Sequence, residues 1–165
     1  MPNPGSYALV LDPTFASKRF TCRFSWLLVD VGSSINFLYL DTLRKLRLKE
    51  TDVLSTNTVF HGIVPGQSCS PIGKIQLDVL FGDKAHFRRE SIWFEGVDLS
   101  SPYHVLLGRH ALAKFMPIPN YAYLKMKMSG PKGIMTIAGD YKKSLKCAQD
   151  SSRVAHAMVI TEEKR

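Results

Sequence analysis

The stretch Trp26-Leu27-Leu28-Val29-Asp30-Val31-Gly32-Ser33-Ser34 decides how the rest of the chain is read. Four apolar residues in a row fit a strand buried on both faces, and they run straight into a carboxylate. An ionisable group at the end of such a strand is costly unless it is paired or used. Gly32 lets the backbone turn sharply and approach that carboxylate, and Ser33 and Ser34 can donate hydroxyl and backbone hydrogen bonds to it. Asp30, supported by Val31, Gly32, Ser33 and Ser34, is therefore the first candidate site, a carboxylate held by donors at the mouth of a barrel. Taken alone, the same pattern also describes a strand-ending turn with a solvated Asp.

Upstream, residues 7–11 are short and apolar and end at the turn signal Asp12-Pro13. From Arg19 the chain alternates, with Phe20, Cys22 and Phe24 on one side and Arg19, Thr21 and Arg23 on the other, which predicts a half-buried strand. Downstream of Ser34 the period changes. Phe37, Leu40, Leu43 and Leu46 form a stripe that leaves out Asp41, Arg44, Lys45 and Arg47. That spacing predicts a short amphipathic helix over 36–48 with Asn36 as its N-cap. Residues 50–58 are polar and loop-like, and 60–73 are dense in Gly and Pro, fitting a hairpin or an exposed loop.

Ile75, Leu77, Val79 and Phe81 alternate with Gln76 and Asp78, a strand that Gly82-Asp83 turns into another over 87–94. Residues 103–107 form an apolar strand ended by Gly108. Residues 109–115 read as one or two helical turns stopped by Pro117 and Pro119. Residues 121–128 and 133–137 then pair as a hairpin, with Leu124, Met126 and Met128 on the core side, and from Tyr141 only a marginal helix or frayed tail is expected. The expected class is mainly β, with short strands about ten residues apart and two short helices, closed into a small barrel or sandwich.

The composition suits this reading. A chain of 165 residues with 45% apolar and 22% charged residues can bury a core and is not wholesale disordered. No apolar run approaches the roughly 18 residues of a membrane helix, and residues 1–12 lack the basic start and apolar stretch of a signal peptide. Cys22, Cys69 and Cys147 are an odd count at irregular spacing, which argues for a reducing compartment rather than a disulfide framework. The net charge of +8 invites a nucleic-acid reading, so its placement matters. Lys and Arg outnumber Asp and Glu by seven to five over 1–60, six to five over 61–120, and nine to four over 121–165. The excess belongs to the last quarter.

A second segment extends the first. Val105-Leu106-Leu107-Gly108-Arg109, an apolar strand ending in Gly before a short helix, follows the Asp30 segment in an order that resembles the retropepsin-like aspartic proteases. The chain is still more similar to the protease region of plant gypsy-type LTR retrotransposon polyproteins. The residues that carry this are Asp12-Pro13, Phe60-His61-Gly62-Ile63-Val64-Pro65-Gly66, the run Pro-Ile-Gly-Lys-Ile-Gln-Leu at 71–77, Tyr103-His104 leading into Leu106-Leu107-Gly108-Arg109, and Ala-Lys-Phe-Met-Pro-Ile-Pro-Asn-Tyr at 113–121. The resemblance covers roughly residues 7–140, the expected protease domain, with 141–165 as a basic to mixed-charge tail or linker.

What the resemblance implies is a small closed barrel that hydrolyses peptide bonds in a polyprotein without metal or organic cofactor. Two aspartates share one proton and activate a water. Asp83 and Asp140 lack a Gly two residues later, so the second aspartate would come from Asp30 of another copy in a homodimer. Gly62, Ile63, Val64, Pro65 and Gly66 would lie in the flap over the substrate, with Leu106, Leu107, Gly108 and Arg109 as structural support. The setting implied is intracellular, in cytoplasmic element particles, with no membrane.

Three residues depart from the family pattern. Val31 stands where a Thr or Ser usually bonds across the dimer, Ser34 where retroviral relatives often carry an Asp that pairs with the Arg of Gly-Arg, and His110 where plant elements often have Pro. A catalytically inactive dimerisation or peptide-binding module on the same fold is thus the alternative.

Other chemistries are poorly supplied. His61, His86, His104 and His110 are widely spaced without the partners of a zinc site, and Ser33 lacks a nucleophile elbow. Lys125, Lys127, Lys132, Lys142, Lys143 and Lys146 could take nucleic-acid phosphates, a further alternative as the main role. They equally suit a solvated edge strand kept from pairing by its lysines.

Overall fold

A computed structural model describes residues 7–17, 21–48, 53–54, 71–99 and 101–146. Strands β1 (Leu9–Leu11) and β2 (Thr14–Ala16) are two halves of one strand bent at Asp12-Pro13. Strands β3 (Thr21–Arg23) and β4 (Leu27–Val29) are the halves of its antiparallel partner. Pro13 has no N–H to give a ladder, so the bend falls there. The Phe24 N–H still donates to the Pro13 carbonyl at 3.1 Å and joins the two bends.

Next come β5 (Phe37–Tyr39), helix α1 (Leu40–Lys45), the long pair β6 (Pro71–Gly82) and β7 (Phe87–Val97), then β8 (Val105–Leu107) and helix α2 (Arg109–Phe115). The strand order is β1-β4-β8-β5-β7-β6-β2-β3. Because β1 continues into β2 and β3 into β4, this order returns to its start and the sheet curls into a small barrel. Strands β9 (Ile118–Asn120), β10 (Lys125–Gly130) and β11 (Gly133–Ala138) form a separate sheet in the order β11-β10-β9.

Alternation fills the barrel. Ile75, Leu77, Val79 and Phe81 of β6 are buried, and Phe15 meets Phe24 and Phe94 edge-on at 5.2 and 5.8 Å between ring centroids. Met126, Met128 and Met135 add the inner face of the three-stranded sheet to the same core, joined by Leu124 from the turn before β10. Arg88 ties the layers together: its guanidinium donates to the carbonyls of Phe115 at 2.6 Å, Lys114 at 2.8 Å and Ser129 at 3.2 Å, a cation at the C-terminus of α2.

Several expectations are corrected. The helix expected over 36–48 starts only at Leu40, and residues 37–39 are β5, paired with both β7 and β8. Asn36 caps nothing; it is buried at 3% exposure, and Tyr39 stands at the helix start without a side-chain cap. An apolar residue every third position fits a strand followed by a helix as well as a helix alone, and pairing decided between them. Lys125 and Lys127 lie on the middle strand of their sheet, so they cover its outer face and guard no edge. Residues 121–124 form a turn, with Leu124 at φ 51°, and the hairpin strand begins at Lys125. The additional edge strand β9 accommodates Pro119. Residues 141–146 are helical. Among the described residues no helix is long and apolar enough to cross a membrane.

Candidate active site

The candidate site is built by one crossing. Strand β8 lies between β4 and β5, which are neighbours in sequence, and runs parallel to β4 and antiparallel to β5. Leu27, Leu28 and Val29 pair with Val105, Leu106 and Leu107, so the two apolar segments singled out by sequence end side by side. Asp30 follows one and Gly108 the other, and the Asp30 N–H donates to the Leu107 carbonyl at 2.9 Å. The loop from Asp30 to Asn36 must then pass over the end of β8 to reach β5.

That passage leaves room for glycine alone. A Cβ on Gly108 would stand 2.7 Å from the Ser33 carbonyl oxygen and closer still to that of Ile35. The Arg109 N–H donates to the Ser33 carbonyl at 2.7 Å, so the start of α2 holds the loop from below. Asn36 holds its far end. Its Oδ1 accepts the Gly108 N–H at 2.8 Å, its Nδ2 donates to the Trp93 carbonyl at 3.0 Å, and its own carbonyl accepts the Glu95 N–H at 2.8 Å.

The half-buried Asp30 accepts the Gly32 N–H through Oδ1 at 2.9 Å, and a Cβ on Gly32 would sit 3.2 Å from that oxygen. The serines act otherwise than expected. The Ser33 hydroxyl turns to the Ile35 carbonyl at 2.7 Å, its N–H donates to the Asp30 main-chain carbonyl at 3.3 Å, and Ser34 is exposed. Val31, at 51% exposure, and Gly32 form the outward tip of the turn. Leu106 is half-buried and Leu107 buried, whereas the Arg109 side chain is exposed and forms no ion pair among the described residues. Gly62, Ile63, Val64, Pro65 and Gly66 lie outside the described residues.

Two residues near this centre escaped the sequence reading. Asn36, a polar residue just ahead of an apolar stripe, carries the local signature of a helix cap, but its side-chain partners lie 57 and 72 residues away. Tyr121 packs against the core, and its phenol pKa is pushed up by burial and then by the negative charge of Asp30. The turn after β9 thus brings an aromatic hydroxyl within electrostatic reach of the carboxylate. No sequence signal linked the two. Among the described residues no three His, Cys, Asp or Glu side chains are grouped to hold a metal ion.

No protein-family model matches the sequence, and no curated protein matches it. Solved structures do. The retroviral protease-like domain of Ddi1 from Leishmania major superposes with a TM-score of 0.53 at 11% identity, covering 79% of this chain and 94% of that domain. The fold is retropepsin-like. A retropepsin-like aspartic protease from Rickettsia conorii matches with a TM-score of 0.43 at 16% identity, over 79% of this chain and 81% of that one. In this retropepsin-like fold the crossing of β4, β8 and β5 is the feature that presents Asp30.

Proposed function

We propose that this chain is an aspartic endopeptidase domain of a retrotransposon polyprotein of the plant gypsy type, acting as a homodimer. The observation that carries the reading is Asp30 itself: a carboxylate at the end of a buried strand, held by the Gly32 N–H, on the outward turn of a retropepsin-like fold. The chain has one Asp-x-Gly-Ser, so a second copy supplies the second carboxylate across a twofold axis. Two such groups close together hold one proton between them. The ionised Asp30 takes a proton from water, whose oxygen bonds to the peptide carbonyl carbon, while the protonated Asp30 gives its proton to the carbonyl oxygen. Collapse of the resulting diol breaks the C–N bond and the amine leaves with a proton. Residues 60–73 serve as the flap that excludes water, residues 7–140 as the catalytic unit and 141–165 as the tail, with the element's cytoplasmic particles as the setting.

Val31 favours a second reading, an inactive dimerising or peptide-binding module, because its side chain cannot make the hydroxyl bond that stiffens such a dimer. The test is cleavage of a polyprotein-derived peptide at mildly acidic pH. Cleavage abolished by Asp30→Asn and by a pepstatin-type inhibitor supports the first reading. A demonstrated dimer that binds the peptide and does not cut it supports the second.

A further inference from the structure

At the end of β4 opposite Asp30, two lysines of residues 141–146 lie over Trp26, and a third basic side chain, Lys45, reaches the adjacent His104. Lys143 and Lys146, from the helical residues 141–146, place their Nζ atoms 5.2 and 5.7 Å from the indole centroid, and Lys143 also donates to the Ser25 carbonyl at 2.9 Å. Trp26 meets Tyr103 at 6.3 Å between ring centroids. The neighbouring His104 has its Nε2 3.4 Å from Lys45 Nζ of α1, and its Nδ1 is buried with no partner among the described residues. Burial first, and then the charges of Lys45 and Lys143, push the His104 pKa down. Asp140, 3.8 Å from Lys143, is the one carboxylate in ion-pair contact with the three lysines among the described residues.

Cations gathered this way repel one another, and an anion placed among them relieves that repulsion. The rings beside them determine which anion. Trp26 and Tyr103 are half-buried, so they cannot wedge into a lipid surface, but Trp26 keeps its indole face next to two ammonium groups. An ammonium lying over an indole can move to a phosphate while a base takes its place on the ring. We propose that this face binds single-stranded nucleic acid, with Lys45, Lys143 and Lys146 on backbone phosphates and a base stacked on Trp26. The site is separate from Asp30 and does not depend on peptide hydrolysis.

The probe is a fluorescent oligouridylate titrated into the full chain at several salt concentrations. Three phosphate contacts to a single strand give a slope of log K against log salt of roughly −2. Replacing Lys45, Lys143 and Lys146 together by Gln is expected to weaken binding about tenfold or more at low salt and to flatten the slope, while the matching Arg variants retain both. In a Trp93→Phe background Trp26 is the remaining tryptophan, and oligouridylate is expected to quench it. Unchanged binding by a folded triple-Gln variant, or binding without Trp26 quenching, overturns the proposal. So does binding to phosphatidylserine vesicles with none to the oligonucleotide.

Discussion

The buried amide of Asn36 accepts the Gly108 N–H at 2.8 Å, joining the end of the loop that Asp30 opens to the end of the strand that the loop crosses. Through Nδ2 the same side chain donates to the Trp93 carbonyl, so one residue ties together the strands on either side of β5. The position of the carboxylate thus depends on a residue six places away in sequence and on two backbone groups much further off.

Asn36→Ala removes both bonds and leaves the Gly108 N–H and the Trp93 carbonyl without their partner, at about 1–3 kcal/mol for each buried group left unpaired. The expected loss is about 2–4 kcal/mol in urea unfolding, read as a lower midpoint with the slope unchanged. A variant as stable as the parent would show that the bridge does not hold the loop.

Gly108→Ala sets a methyl group against two backbone carbonyls, those of Ser33 and Ile35, which cannot swing aside as a side chain could. Destabilisation of roughly 2–4 kcal/mol is expected, with the largest amide-exchange increase over 30–36. Gly133→Ala is a useful contrast. A Cβ there meets nothing within 4 Å, so the cost arises from its φ of 118° alone and is confined to the β10–β11 hairpin.

Val31→Thr exchanges an exposed apolar branch for a hydroxyl of similar size at the tip of the Asp30 turn. Under the proposed homodimer it raises the dimer fraction seen by analytical ultracentrifugation, and peptide cleavage rises with it. No change in either quantity would count against Val31 as the weak point of the dimer.

His104 gives stability a pH dependence. Burial first, then Lys45 and Lys143, lower its pKa in the fold, and the ring packs edge-on to Phe24 at 5.4 Å. The unfolded chain therefore binds the proton more readily, so the stability contribution is fully present above about pH 6.5 and is lost as pH falls towards the folded-state pKa. Urea midpoints measured between pH 7.5 and 5 should decline, and His104→Gln should flatten the decline. An imidazole NMR titration of His104 should shift upward when Lys45 and Lys143 are changed to Gln.

Much of this protein is local and legible in the residues. The alternation at Ile75, Leu77, Val79 and Phe81 makes β6, the run from Leu27 into Asp30 makes a buried strand ending in a charge, Pro117 stops α2, and Asp12-Pro13 bends the first strand. These follow from periodicity and from backbone groups that Pro lacks, which each segment carries by itself. Residues 37–39, the role of Asn36, the approach of Tyr121 to Asp30 and the gathering of Lys45 and His104 with Lys143 and Lys146 had no such local signature. They result from β8 entering between β4 and β5 and from residues 141–146 packing back on Trp26. Pairings of that kind are decided by which distant surfaces bury each other, so their geometry exists only once the chain has closed.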